Sequence, residues 1–199
     1  VYNGTVPSPA GQVVINEIMY NPAAPGGEYV ELYNTSTNIT FDLSAWRFEG
    51  LSYTFPAGAS LGPRRFLVLA ANQPAFAGAY GALLPVFDTF SGSIQGNGET
   101  LSLVQPGTNV ASDLVVAKVR YEGGLPWPVG ASGTGTSLQL IDPRQDNWRA
   151  GNWSGSFPPA ARTPGATNTV LATLPTFPTL WINELQAENL TGITNSAGQ

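Results

Sequence analysis

The chain has 199 residues, of which 42% are hydrophobic and only 11% charged, and its formal net charge is −5. It contains neither cysteine nor histidine, which removes the commonest zinc ligands, thiol nucleophiles and imidazole bases at once. Its eight Lys and Arg residues form no cluster in the sequence. Because nucleic-acid binding depends on clustered cations, we expect no nucleic-acid partner, and no apolar run is long enough to predict membrane insertion.

The first part of the chain predicts a linker followed by two strands. Residues 1–11 have the Pro, Gly and Thr content of a linker, and the first strand is predicted over residues 12–19. The second is predicted over residues 28–34, where aromatic and acidic side chains alternate with Val30 and Leu32. Asn, Pro and Gly residues between the strands are typical of a turn, so the strands are expected to form a close pair.

The middle of the chain predicts further short strands bounded by Gly, Pro, Asn or Asp. They lie at residues 41–48, 53–55, 66–70, 100–104, 112–121 and 137–141. Residues 74–80 favour one or two helical turns, which Gly78 weakens. Roughly eight or nine strands with turns at this spacing predict an all-β fold, a β-sandwich.

After these strands the sequence predicts a long irregular C-terminal arm. It carries aromatic residues, among them Trp148, Trp153 and Phe157, and it closes at residues 163–165. Aromatic residues in such a loop usually dock it onto the body of the domain. The Pro-bearing residues 170–180 predict a semi-extended linker.

A strand-like phrase occurs twice, as VINEI at residues 14–18 and WINEL at residues 181–185. Each copy follows a Pro-bearing stretch, so the phrase predicts a repeated module that begins with this strand. We therefore predict one sandwich domain over residues 12–169 and the truncated start of a second repeat over residues 181–199. Because a strand without its own domain seeks an open sheet edge, residues 180–185 also predict a tail-mediated dimer.

Several longer phrases form a set that spans the predicted domain. They are VINEIMYNP at 14–22, GEYVELYN at 27–34, FDLSAWRF at 41–48, FPAG at 55–58, FLVLA at 66–70, NGETLSL at 97–103, GTGTSLQL at 133–140 and TPGATN at 163–168. Together they resemble the lamin tail domain family in its bacterial form. This chain differs from lamins in its greater length between residues 71 and 135 and in its lack of a basic surface.

The resemblance implies an immunoglobulin-like β-sandwich in an extracellular or cell-envelope multidomain protein. It implies a non-catalytic module for binding or tethering, with a protein or a cell-wall glycan surface as the partner. The DNA and chromatin roles of lamin tails are not expected here, because the chain lacks the cations for them. The predicted core residues are Ile15, Val30, Leu32, Trp46, Leu67, Leu101 and Leu138.

Three acidic residues, Glu17, Glu28 and Glu31, come nearest to a catalytic group. Neighbouring strands can bring carboxylates together, and a pair about 5 to 9 Å apart can hydrolyse glycosides. Strand alternation places Glu28 and Glu31 on opposite faces, however. We therefore expect solvated or edge-strand carboxylates, with Glu17 bonded to backbone or Arg, and a carboxylate-based hydrolase is the less favoured alternative.

A calcium site is a second hypothesis for this region, with Asn16, Glu17, Asn21 and Asp42 as candidate ligands. Calcium takes roughly six to eight oxygen ligands, and these side chains supply oxygens. The sequence has no EF-hand loop, and no other cofactor is expected. Asn16 occurs in both copies of the repeated phrase, and we expect its side chain to hold a neighbouring loop through hydrogen bonds to backbone.

An aromatic surface is the basis of an alternative function. Trp127 lies between two prolines in a stiff run that is expected at the surface. With Tyr121 and Trp148 it forms the candidate patch for contact with carbohydrate or protein. A carbohydrate-binding module is therefore the alternative function, and docking of these rings into the core is the competing structural interpretation.

Overall fold

The computed structural model describes residues 7–155 and 162–176. The strands in these ranges are β1 (Val13–Met19), β2 (Tyr29–Asn34), β3 (Phe41–Asp42), β4 (Arg47–Glu49), β5 (Tyr53–Thr54), β6 (Ser60–Leu61), β7 (Phe66–Ala70), β8 (Asp88–Thr89), β9 (Gly98–Gln105), β10 (Leu114–Glu122), β11 (Leu138–Leu140) and β12 (Trp153–Gly155). The α-helix α1 spans Gln73–Tyr80, and short 3-10 turns lie at Val110–Ser112, Val129–Ala131 and Ala150–Asn152.

The strands form an all-β fold, as the sequence predicts. A six-stranded sheet has the order β12-β11-β1-β2-β7-β8, and a four-stranded sheet has the order β10-β9-β4-β5. β3 and β6 form a separate two-stranded ladder. Every pairing is antiparallel except that of β7 with β8. Among the described residues, no helix is long and apolar enough to cross a membrane.

The core lies between the two large sheets and takes its side chains from both. The residues predicted for the core are all at most 5% exposed, namely Ile15, Val30, Leu32, Trp46, Leu67, Leu101 and Leu138. One connected cluster contains all of them. The apolar residues of the alternating pattern therefore stabilise the sandwich by removing their surface from water.

The six-stranded sheet is covered on its second face as well. α1 begins where Asn72 Oδ1 accepts a hydrogen bond from the backbone N–H of Ala75 at 2.9 Å, and it lies over this face. Its Phe76 packs edge-on against Tyr29 of β2, with ring centroids 5.5 Å apart. Because both faces are covered, all seven residues of β1 are buried, and strand alternation does not divide β1 into a wet and a dry face.

The strand predicted over residues 41–48 is divided by a turn. β3 and β4 belong to different sheets, and the backbone N–H of Trp46 donates to Leu43 O at 3.0 Å between them. Ala45 adopts a φ of 62°, a region that L-residues other than Gly, Asn and Asp seldom occupy. The turn places Trp46 in the core at 2% exposure while the chain crosses from one sheet to the other.

Candidate functional site

Two carboxylates face each other inside the six-stranded sheet. Glu17 of β1 is the register partner of Glu31 of β2, because the pairing shifts by one residue at Asn16, which forms a β-bulge. Both side chains are fully buried. The prediction of solvated or edge-strand carboxylates is therefore wrong for Glu17 and Glu31, because β1 and β2 are inner strands of this sheet, whereas the expected bond of Glu17 to backbone is confirmed. Glu28, by contrast, precedes β2 and is only partly buried.

The Glu17 carboxylate accepts hydrogen bonds from several elements at once. Tyr29 Oη donates at 2.6 Å, the backbone N–H of Thr163 at 2.8 Å and Gln139 Nε2 at 3.2 Å. The hydroxyl of Ser137 donates as well. Burying a carboxylate is costly unless donors replace the lost water, and these groups supply that replacement.

Among the described residues, Glu31 has fewer donors than Glu17. Asn16 Nδ2 donates to it at 2.8 Å, and the backbone N–H of Gly165 donates to its other oxygen. Burial raises the pKa of the Glu31 carboxyl well above its usual 4.5, and the nearby Glu17 carboxylate raises it further. The fold therefore favours a proton on Glu31.

A pair of asparagines joins this cluster to residues 162–176, a shorter segment than the irregular arm predicted from the sequence, and from here on these residues alone are called the arm. Asn168 Nδ2 donates to Asn16 O at 3.0 Å and to Leu140 O at 2.9 Å, and Asn16 Nδ2 donates to Asn168 Oδ1 at 2.9 Å. Asn16 thus contacts a loop, as expected, although its own side chain bonds to Glu31 and Asn168 side chains rather than to backbone. We call Asn16, Glu17, Glu31 and Asn168 the buried polar cluster.

The rest of the arm is held along β11 and the residues that follow it. The N–H groups of Thr169, Ala172 and Leu174 donate to Gln139 Oε1 at 3.0 Å, to Ile141 O at 3.0 Å and to Asp142 Oδ2 at 3.1 Å. These bonds fix the arm beside the sheet, with the Gln139 side chain of β11 and the two residues after this strand as acceptors for arm backbone.

The arm and the sheet enclose a groove of about 550 Å³ on the surface, which we call the arm groove. One wall carries the rings of Tyr33 and Phe66, stacked with centroids 4.6 Å apart. Arg64 and Arg144 also line it, and Leu171 of the arm completes the apolar part. The sequence indicated only a turn near Arg64, from Gly62 and Pro63, because the groove depends on arm contacts that no local pattern encodes.

The sequence pattern of the Lamin Tail Domain family matches residues 6–123, more than half of the chain. The chain belongs to the lamin tail domain family. The immunoglobulin-like β-sandwich that the resemblance implied is therefore confirmed. No curated protein matches the chain.

The matched segment of this lamin tail domain ends before β11. β11 and β12 nevertheless belong to the six-stranded sheet, where β11 pairs with β1. Arm residues also bond directly to β1 side chains. The predicted domain limits, residues 12–169, stay a prediction, and residues 181–199 with the tail strand at 180–185 lie outside the described residues.

The four calcium ligands predicted from the sequence do not converge on one site. Asn16 and Glu17 are used within the buried polar cluster. Asn21 Nδ2 donates to Ser132 Oγ at 3.0 Å, and the exposed Asp42 accepts from the backbone N–H of Ser44 at 2.9 Å. Among the described residues, no group of three or more His, Cys, Asp or Glu is placed to hold a metal ion.

The predicted aromatic patch does not form. Tyr121 is fully buried, and its ring stacks on Tyr20 with centroids 4.9 Å apart. Trp127 is 5% exposed and packs against Trp153. Trp148 alone among the three candidates is exposed, at 44%, so the competing interpretation, docking into the core, describes Tyr121 and Trp127.

Proposed function

We propose that this lamin tail domain is a non-catalytic binding or tethering module of a secreted or envelope-associated multidomain protein, with a protein or cell-wall surface as its partner. Family membership supports a module of this kind, since lamin tail domains are generally non-catalytic. The composition supports it as well, because a chain without His and Cys lacks the usual bases and nucleophiles.

The proposal depends on one observation: Glu17 and Glu31 are buried and bind the backbone of the arm. A glycosidase pair needs carboxylates that meet a substrate, one on each side of the scissile bond. Here both carboxylates are buried, and their acceptor positions are taken by Thr163 and Gly165 of the arm. The acids therefore bind the domain's own arm and are not accessible to a substrate.

Burial of Tyr121 and Trp127 removes the support for the carbohydrate-binding alternative in its aromatic form. Stacking of sugars needs exposed ring faces, and these rings are packed inside the domain. A secreted or envelope location is supported by the repeated phrase, which suits a chain of consecutive modules.

A binding screen with the full chain tests the proposal. Immobilised protein is exposed to cell-wall fractions and to purified modules of the same parent protein, while glycoside and phosphodiester substrates are assayed for turnover. We expect saturable binding to at least one surface and no product formation, with heat-unfolded chain as the control. Turnover that disappears in Glu17→Gln would overturn the proposal, and so would the absence of binding to every surface.

A further inference from the structure

We propose that the arm groove binds an acidic, partly apolar peptide segment of a partner protein. This inference rests on the proposed function and deepens it by assigning the contact surface and the chemistry of the partner. It is carried by the charge of the groove, by the exposed apolar groups beside that charge, and by the dependence of the groove on the docked arm.

The groove is positive although the chain is negative. Its charged lining residues are Arg64, Arg144 and Asp142, which gives a net charge of +1 on a chain whose formal charge is −5. Asp142 is already used, since it accepts from Arg144 Nε at 3.1 Å and from the backbone N–H of Leu174 at 3.1 Å. A positive site favours an anionic segment, and the net charge of −5 on each chain opposes the association of two copies.

The two guanidinium groups have donors to offer such a segment. Arg64 is exposed, and its Nη1 donates to Tyr33 Oη at 3.2 Å. The side chain of Arg144 is 65% exposed, and its bonds to Asp142 and Thr173 use Nε and Nη2. A guanidinium carries more N–H groups than these contacts use, and its planar fork suits the two oxygens of a carboxylate.

The backbone holds Arg64 in place before any ligand arrives. Its N–H donates to Asn34 O and Ser36 O, both at 3.1 Å, and its φ is 56°. This backbone region favours Gly, so the surrounding hydrogen bonds over-determine the position of the arginine. The guanidinium itself is restrained by its hydrogen bond to Tyr33 Oη, so the side chain loses less conformational entropy on binding.

The apolar part of the groove favours a peptide over a sugar. Tyr33 and Phe66 stack on each other at an interplanar angle of 20°, so each ring already uses one face on its neighbour. Leu171, which is 52% exposed, adds an aliphatic surface. Apolar peptide side chains gain from contact with such groups, and acidic neighbours in the same peptide reach the arginines.

The arm forms one wall of the groove, so the buried polar cluster shapes it. Residues 167, 168 and 171–173 line the groove, and Asn168 anchors them to β1 and β11. A change that releases the arm is therefore expected to weaken peptide binding without touching either arginine.

Fluorescence anisotropy with labelled peptides tests the inference on the full chain. The probe alternates Asp or Glu with Leu, and the reference peptide carries Asn and Gln in place of the acids. We expect the acidic peptide to bind at least about tenfold more tightly, a difference of about 1.4 kcal/mol, and to weaken with added salt. A uronic-acid oligosaccharide is the third ligand tested, and tighter binding of this sugar than of the acidic peptide would overturn the assignment to a peptide.

Three variants and one matched control complete the test. Arg64→Gly removes the guanidinium while suiting a positive φ, Arg144→Gln removes the second, and Leu171→Glu adds an opposing charge. Arg120→Gln makes the same charge change on the exposed face of β10, outside the groove. We expect each groove variant to weaken binding about tenfold and the control to leave it unchanged. Equal peptide affinity of Arg64→Gly and Arg120→Gln would overturn the inference. It would also be overturned, while the proposed function stands, if the chain binds a cell-wall surface or sister module but no peptide.

Discussion

Replacement of Asn168 by Ala isolates the bond between the arm and the sheet. Asn168 is 5% exposed and lies 152 residues from its main partner, Asn16. Its side chain links the arm both to β1 and, through Leu140 O, to β11. The substitution removes these contacts, and the carbonyl groups of Asn16 and Leu140 lose the Asn168 donor because Ala offers no polar atom in its place.

The expected cost follows from the contacts that are lost. Three hydrogen bonds are 3.0 Å or shorter: Asn168 Nδ2 to Asn16 O and to Leu140 O, and Asn16 Nδ2 to Asn168 Oδ1. At about 1 kcal/mol for each buried hydrogen bond, Asn168→Ala should lower the free energy of unfolding by about 3 kcal/mol. Asn168→Asp keeps the shape but loses the donors and adds a charge near Glu31, so it should cost at least as much.

Urea unfolding and hydrogen exchange measure the two parts of this prediction. The midpoint and slope of urea unfolding give the change in free energy. Hydrogen exchange should accelerate at the N–H groups of Thr163 and Gly165, which donate to Glu17 and Glu31. The amides of β9 should still exchange only through global unfolding of the domain. The exposed Thr167→Ala in the same arm is the control, with an expected change within about 0.5 kcal/mol.

Two outcomes would contradict the role of Asn168 in holding the arm. If Asn168→Ala costs less than about 1 kcal/mol and the arm amides keep their protection, the asparagine pair does not hold the arm. A large loss of stability with unchanged arm protection would instead show that Asn168 acts on the sandwich as a whole. Either result would show that the buried polar cluster does not position the arm wall of the arm groove.

Three further predictions concern single side chains. Burial raises the pKa of the Glu31 carboxyl, so the stability that this group adds is complete below the usual value of 4.5 and is lost as pH rises through the folded-state pKa. In a thermal unfolding series across this pH range, Glu31→Gln should not show this loss of stability. The Arg144 side chain lowers the pKa of Asp142 from 3.8 to about 2, so the stability that this carboxylate adds is present above 3.8 and lost as pH falls through about 2; a pH series should show Asp142→Asn insensitive to that step. Trp46→Ala, at a position 2% exposed, should cost about 3–5 kcal/mol in urea unfolding, and an unchanged midpoint would contradict its place in the core.

The sequence predicts the strands well where their formation depends on neighbours in the chain. β1, β2, β7 and β11 lie where alternation and turn residues place them. Asp42, Leu43 and Ser44 indicate a turn before Trp46, and the structure confirms it, but the positive φ lies at Ala45, which is not a residue type that usually adopts one. A pattern read along the chain detects a turn only when the residue type announces it.

The candidate site was harder to predict, because its parts meet through long-range contacts. The phrase at residues 14–18 identified Asn16 and Glu17 as unusual polar residues, but it indicated neither the β-bulge at Asn16 nor the arm that covers these side chains. Thr163, which donates to Glu17, is 146 residues away along the chain. Burial of the acids follows from how the arm folds back, and strand alternation carries no information about that.

The buried polar cluster is better explained as a device for positioning than as a source of stability. A buried carboxylate loses hydration, and its hydrogen bonds mainly compensate for that loss, so apolar residues of similar volume often stabilise as well. An apolar pair at positions 17 and 31 would accept no hydrogen bond from the N–H groups of Thr163 or Gly165, however. The arm would then lack the bonds that fix its register, and the wall of the groove that contains Leu171 would have no defined position. The polar residues within the sheet therefore connect the fold to the proposed binding surface.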